Sequence, residues 1–160
     1  MLQDISQFIF REAKLLDDRD YEAWLGLFEP DGLYVVPLAG EADGGRQAAI
    51  VRDNQAAREE RVHHLQNHWF PAQQPPSRTL HFVSNVLGQE SDGIWRVSTS
   101  QMIYETREGD WTQVGLGELR SIVARIDYQL RITPDGLRIR EKRVLLLNAA
   151  SWQQNLAFIY

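Results

Sequence analysis

Two adjacent prolines, Pro75 and Pro76, constrain this chain more than any other feature. Neither has a backbone N–H, and each pushes the residue before it out of helical geometry. They divide the sequence into unlike parts. Before them lie amphipathic and charged segments with helical spacing. After them, four long runs rich in β-branched and aromatic residues predict strands. These are Thr79–Gln89, Ile94–Arg107, Thr112–Ile132 and Leu137–Leu147. Ser91-Asp92-Gly93, Glu108-Gly109-Asp110 and Thr133-Pro134-Asp135-Gly136 separate them, and such tight-turn chemistry predicts antiparallel hairpins. Strands this long in a small domain must curl, and Gly115 and Gly117 offer places to bend.

The first part reads as helices with one short strand. Ile5, Phe8, Ile9, Glu12 and Leu16 fall on one stripe of a helix from Leu2 to Leu16, with only Glu12 breaking the apolar pattern. Asp20 is placed to cap a second helix whose Tyr21, Trp24, Leu25 and Phe28 share a face. Glu29-Pro30-Asp31-Gly32 predicts a turn, and Leu33–Val36 a short strand stopped by Pro37. Residues 39–46 read as a loop, and 48–52 as a short strand or an early helical turn, the strand being favoured. Asp53 or Asn54 caps a third helix running to about Asn67. Its apolar side is only Ala57, Val62 and Leu65, so it predicts a solvated or partner-covered helix. Trp69 and Phe70 then form an apolar cluster in polar surroundings, a composition that suits a loop folded on the core or an interface anchor. In the sheet half, Leu137 and Ile139 alternate with Arg138, Arg140 and Lys142, which predicts one buried and one wet face. The apolar tail ending in Phe158, Ile159 and Tyr160 must dock on the body or on another subunit.

The expected architecture is α+β: one domain over 1–160, with a helical half of about 1–74 and a sheet half of about 75–160. A cone-shaped, curved antiparallel sheet wraps over the N-terminal helices.

Composition excludes several function classes. The sequence has no cysteine, so it offers no disulfide, thiolate nucleophile or cysteine ligand for zinc or iron–sulfur. A formal net charge of −5 argues against nucleic acid as a partner. Neither a signal peptide nor a membrane span is expected, and a reducing cytoplasm suits the lack of cysteine.

Two arrangements invite chemistry. Glu60, His64 and His68, with His63 adjacent, recur at helical spacing and could chelate a metal, although Arg58 and Arg61 nearby repel a cation. Asp17, Tyr34, His81 and Tyr104 could line an acid–base cavity inside a cone. The plainer reading makes Tyr34 a packed strand residue and His81 a satisfied polar group. Arg78 follows the prolines that fix its backbone, which favours a structural ion pair or a subunit contact.

Three blocks together resemble the small (β) subunits of Rieske-type aromatic-ring-hydroxylating dioxygenases. The first is Phe8–Asp18, continuing through Trp24 to Val36-Pro37. The second is Pro75–Thr79 with His81–Val86, and the third is Ile139–Asn148 around Lys142-Arg143-Val144. Leu80 departs from the family, where many members have arginine. The resemblance implies the nuclear-transport-factor-2-like, cystatin-like cone fold. It also implies a hexamer of three large and three small subunits, in which the large subunit carries the Rieske cluster, the mononuclear iron and the substrate pocket. This chain would then be a structural subunit without a cofactor or active site, assembling as a trimer. Arg78, His81, Trp69, Phe70, Phe158 and Tyr160 are the candidate structural or interface residues. Related cone-fold isomerases and dehydratases carry an aspartate before a proline at the end of the first strand, where this chain has Val36. The alternatives are a stand-alone cone-fold dehydratase or isomerase and a small-ligand-binding protein.

Overall fold

The computed structural model describes residues 1–38, 48–67, 74–109, 116–149 and 158–160. Three helices, α1 (Leu2–Asp17), α2 (Tyr21–Leu25) and α3 (Gln55–Asn67), pack on one six-stranded sheet. The strands are β1 (Phe28–Pro37), β2 (Ala49–Asp53), β3 (Arg78–Ser91), β4 (Ile94–Thr106), β5 (Leu119–Thr133) and β6 (Gly136–Leu146), in the spatial order β2-β1-β6-β5-β4-β3. Consecutive strands β3 to β6 pair antiparallel; β3–β4 and β5–β6 join through the predicted tight turns, whereas β5 begins at Leu119 rather than at Thr112, so residues 107–118 rather than a tight turn separate β4 from β5. The sheet is mixed rather than wholly antiparallel, because β1 lies parallel to β6.

The expected helix caps are present. The Asp20 carboxylate accepts the Ala23 N–H at 3.2 Å, and Asn54 accepts the Ala57 N–H at 3.1 Å. Helix α2 is shorter than its apolar spacing predicts. It stops at Leu25, and Phe28 already opens β1. The predicted turn at Glu29–Gly32 lies within β1, as an irregularity between Phe28 and Leu33. Gly32 is required there, since a Cβ would sit 2.8 Å from the Ile139 carbonyl oxygen and 2.9 Å from that of Glu29.

Two further irregularities decide which side chains face the helices. Between Ser84 and Leu87 one extra residue enters β3, with Asn85 at φ +52°. Between Ile139 and Glu141 the extra residue is Arg140. A one-residue insertion reverses the facing of everything beyond it. Lys142 is therefore buried, 1% exposed, and not on the wet face that alternation predicts.

The core lies between the helices and the inner face of the sheet. Ile5, Ile9 and Leu16 of α1 meet Ile103, Ile126 and Val144 of the sheet. Helix α3 contributes Val62, and also Arg58, which is not the surface residue its charge suggests. Arg58 is buried, its guanidinium lies 4.3 Å from the Phe28 ring centre, and it donates to the Gly32 carbonyl.

Candidate functional site

Glu12 supplies the centre of the interior. One turn of α1 projects it inward among Ile5, Ile9, Ala13 and Leu16. Its Oε1 accepts from the Trp24 indole at 3.0 Å and from Lys142 Nζ at 2.8 Å. Its Oε2 accepts the Tyr128 hydroxyl at 2.8 Å. Gln101 donates to the Tyr128 oxygen and to Thr99 Oγ1, each at 3.2 Å. Four elements thus converge on one buried carboxylate. Burial pushes the Lys142 ammonium below its ordinary value, and the Glu12 carboxylate beside it opposes that shift. Burial, with the neighbouring carboxylate adding to it, raises the Tyr128 phenol. Every oxygen of Glu12 is engaged within the chain.

Asp17 and His81 meet at the end of α1. The His81 ring Nδ1 lies 2.6 Å from Asp17 Oδ1, and the His81 backbone N–H donates to Oδ2 at 3.0 Å. The Thr79 hydroxyl adds a bond of 2.9 Å. Burial alone would raise the Asp17 carboxyl, but the bonds from His81 and Thr79 outweigh it and hold it below the usual carboxylate range. The His81 side chain is 1% exposed. It clamps β3 to α1 and faces the chain's own interior.

The remaining candidates are dispersed. Tyr34 is buried beside Trp24, with ring centres 5.8 Å apart, and its hydroxyl accepts the Tyr160 N–H at 3.1 Å. Burial raises its phenol strongly. Phe158 and Tyr160 are buried in the core of their own chain, so these tail residues dock on the body rather than waiting for a partner. Tyr104 faces away from the cavity residues and stacks edge-on to Phe82 on the outer side of the sheet, at 5.8 Å. Arg78 pairs with Glu108 at 2.7 Å, but both side chains are more than 70% exposed, so the buried ion pair expected there is a surface pair. The buried arginine pairs lie elsewhere. Glu105 accepts from Arg120 and, at 2.6 Å, from Ser77, while Asp53 takes Arg61 in two bonds. Trp69, Phe70 and His68 lie outside the described residues. His64 Nε2 is 3.5 Å from Glu60 Oε1, and among the described residues no cluster of three His, Asp or Glu side chains is grouped to hold a metal.

Sequence reasoning missed Glu12, Lys142 and Arg58 as interior residues. A lone carboxylate breaking an otherwise apolar helix stripe was the available sign for Glu12. Val36, at the position of the aspartate in related isomerases, is fully buried and apolar. Among the described residues the interior charges at Glu12, Lys142 and Asp17 are neutralised in place by partners of the same chain.

The comparisons with known proteins agree with this picture. Residues 11–151 match the family described as the ring hydroxylating beta subunit. Benzene 1,2-dioxygenase subunit beta of Pseudomonas putida is 27% identical over 98% of this chain and 87% of its own length. The benzoate 1,2-dioxygenase beta subunit of Burkholderia mallei superposes with a TM-score of 0.77 at 24% identity, covering 99% of this chain and 97% of its own. A nuclear-transport-factor-2-like protein with a cystatin-like fold from Novosphingobium aromaticivorans does so at 0.60 and 21% identity, covering 91% of this chain and 81% of its own. The curved sheet over N-terminal helices is that cone fold. This chain belongs to the ring-hydroxylating dioxygenase β-subunit family.

Proposed function

We propose that this chain, as one domain over 1–160, is a structural subunit of a cytoplasmic dioxygenase that hydroxylates aromatic rings in their degradation. It forms a trimer and carries three iron-bearing large subunits. The observation that carries this reading is the family match across 11–151, joined to an interior in which Glu12 is wholly committed to Trp24, Tyr128 and Lys142. Iron chemistry belongs to the partner. A Rieske cluster needs two cysteines and two histidines, and this sequence has no cysteine. Arg78, with Trp69 and Phe70, remains a candidate for the subunit contacts.

One observation favours a second reading, a stand-alone cone-fold dehydratase or isomerase. His81 Nε2 is buried without a hydrogen-bond partner among the described residues, and Asp17 holds the opposite ring nitrogen, an arrangement that suits a base. Aromatic-dependent oxygen uptake separates the two. The subunit reading expects uptake only when the chain is combined with its large subunit, and it expects His81→Gln to lower the melting temperature without removing uptake from assembled complexes. Turnover of a small molecule by the chain alone, abolished by His81→Gln, would establish the second reading instead.

A further inference from the structure

Inside the cone, the two ends differ in how completely they are hydrogen bonded. At the Glu12 end both carboxylate oxygens are engaged. At the other end, where β4 and β5 carry Glu105 and Arg120, three buried polar groups are not fully used. Tyr160 is 1% exposed, and its hydroxyl has no hydrogen-bond partner among the described residues. The Tyr34 hydroxyl accepts the Tyr160 N–H at 3.1 Å, but its own proton meets no acceptor among them. His81 Nε2 is buried without a partner as well. Asp17 takes the opposite ring nitrogen, so the neutral ring presents Nε2 as an acceptor. Native interiors rarely leave such groups unpartnered, and each one calls for a reason.

The 158–160 segment bridges Tyr34 of β1 and Arg120 of β5 and fills the space between them with two aromatic rings. The Phe158 and Tyr160 ring centres are 5.0 Å apart, and the Arg120 guanidinium lies 5.9 Å from the Phe158 ring centre. Strand register adds the third group. Glu105 pairs with Thr79, and His81 is the next inward residue on β3. Tyr160 is held by its backbone N–H and by ring contacts, so its hydroxyl contributes nothing to the docking. A free molecule with the same ring is not tied to the chain and can turn until its hydroxyl finds an acceptor. It keeps the ring contacts and gains the bond that the tethered side chain misses.

The surroundings also select the charge of such a molecule. Burial raises the Tyr160 phenol above its ordinary value, Tyr34 and Glu105 add to the rise, and Arg120 opposes it. A phenol in this space therefore keeps its proton and donates it. A carboxylate would meet Glu105, and Arg120 already serves Glu105. We propose that the space held by Phe158 and Tyr160 is a binding site for a small uncharged phenol, and that the 158–160 segment is its displaceable occupant. Such binding needs neither turnover nor the large subunit, so it goes beyond both readings above.

The test is calorimetric titration of the full chain with 4-methylphenol, the tyrosine side chain as a free molecule, beside toluene and 4-methylbenzoate. Tyr160→Ala is expected to bind 4-methylphenol about tenfold more tightly than either of the others, the difference that one recovered hydrogen bond makes. Wild type is expected to bind it more weakly than Tyr160→Ala, because the segment must leave first. Tyr160→Phe removes the unpartnered hydroxyl, holds the segment better and is expected to bind more weakly still. Wild type and Tyr160→Phe carry the test if Tyr160→Ala does not fold. Fluorine NMR of 3-fluorotyrosine placed at position 160 is expected to move to its solvent-exposed position when wild type is saturated. Equal affinity of Tyr160→Ala for 4-methylphenol and toluene would reduce the space to an ordinary cavity and overturn the site. A fluorine signal unmoved at saturation, or no binding by wild type, would make the segment fixed core and overturn its displacement.

Discussion

Each face of the sheet carries a set of side chains that is unusual for its side. The inner face, under the helices, holds Lys142, Gln101, Thr99 and Glu105 among its apolar residues, with Glu12 of α1 set against them, all buried. The outer face, towards solvent, holds Phe82, Met102, Val123 and Leu147. The difference is one of completeness. Inside, each of these polar side chains has a partner from another strand or helix. Outside, the apolar row is left exposed by the described residues. A satisfied polar network fixes one arrangement of α1, α2 and the sheet, because any other leaves charge buried and unpaired. An unsatisfied apolar row does nothing for the isolated chain. Substitutions inside should therefore change folding, and substitutions outside should change only association.

The largest effect is expected at Glu12. Glu12→Ala leaves Lys142 buried without its counter-charge and strands the Trp24 and Tyr128 donors, at a cost of about 3–5 kcal/mol. That is a large share of the roughly 5–15 kcal/mol that holds a domain folded. Urea denaturation should show an early midpoint or no folded baseline. A midpoint within error of wild type would remove the basis for calling the inside structural.

Asp17→Asn should cost less, about 1.5–3 kcal/mol, by weakening the charge-assisted bonds to His81 and Thr79. It also has a pH signature. The folded carboxyl lies below its ordinary value of 3.8, so its contribution is fully present above 3.8 and is lost as pH falls through the folded value. Thermal melts of Asp17→Asn should consequently lose part of the wild-type decline below about pH 4. Parallel acid limbs for the two proteins would show that this clamp carries no linked stability.

Arg78→Ala should cost the isolated chain under about 1 kcal/mol, since the pair with Glu108 is fully solvated. Smallest of all is Phe82→Ser. It should leave the unfolding free energy of the monomeric chain within about 0.5 kcal/mol. A large loss at Phe82 in chain held monomeric would mean that the outer row contributes to folding and would blur the two faces.

Much of the fold was legible in the sequence because it is local. The Pro75-Pro76 break, the Asp20 cap and the tight turns of the β3–β4 and β5–β6 hairpins depend only on residues a few positions apart. What stayed hidden depends on register or on distant partners. Arg140 as an inserted residue reverses the facing of Lys142, and nothing in the alternation Leu137–Lys142 signals the reversal. The parallel pairing of β1 with β6 joins Tyr34 to Lys142 across more than a hundred residues, beyond any hairpin rule. Arg58 is in the core because Phe28 and the Gly32 carbonyl receive it. Asp17 and His81 were both visible as candidates, but only the packing of α1 on β3 makes them a pair. Tyr104 was assigned inward because strand parity cannot say which face the helices will cover.

The account's central claim is that the polar interior is structure and not chemistry. The most direct measurement is aromatic-dependent oxygen uptake by the complex containing Glu12→Gln/Lys142→Met. The substitution removes both buried charges while keeping an oxygen that accepts from Trp24, and the new amide donates to the Tyr128 oxygen in place of accepting its proton. Folded and assembled with the large subunit, this complex should turn over at the wild-type rate. A complex of normal mass and melting temperature whose uptake has collapsed would place the interior charges in the reaction and contradict the claim.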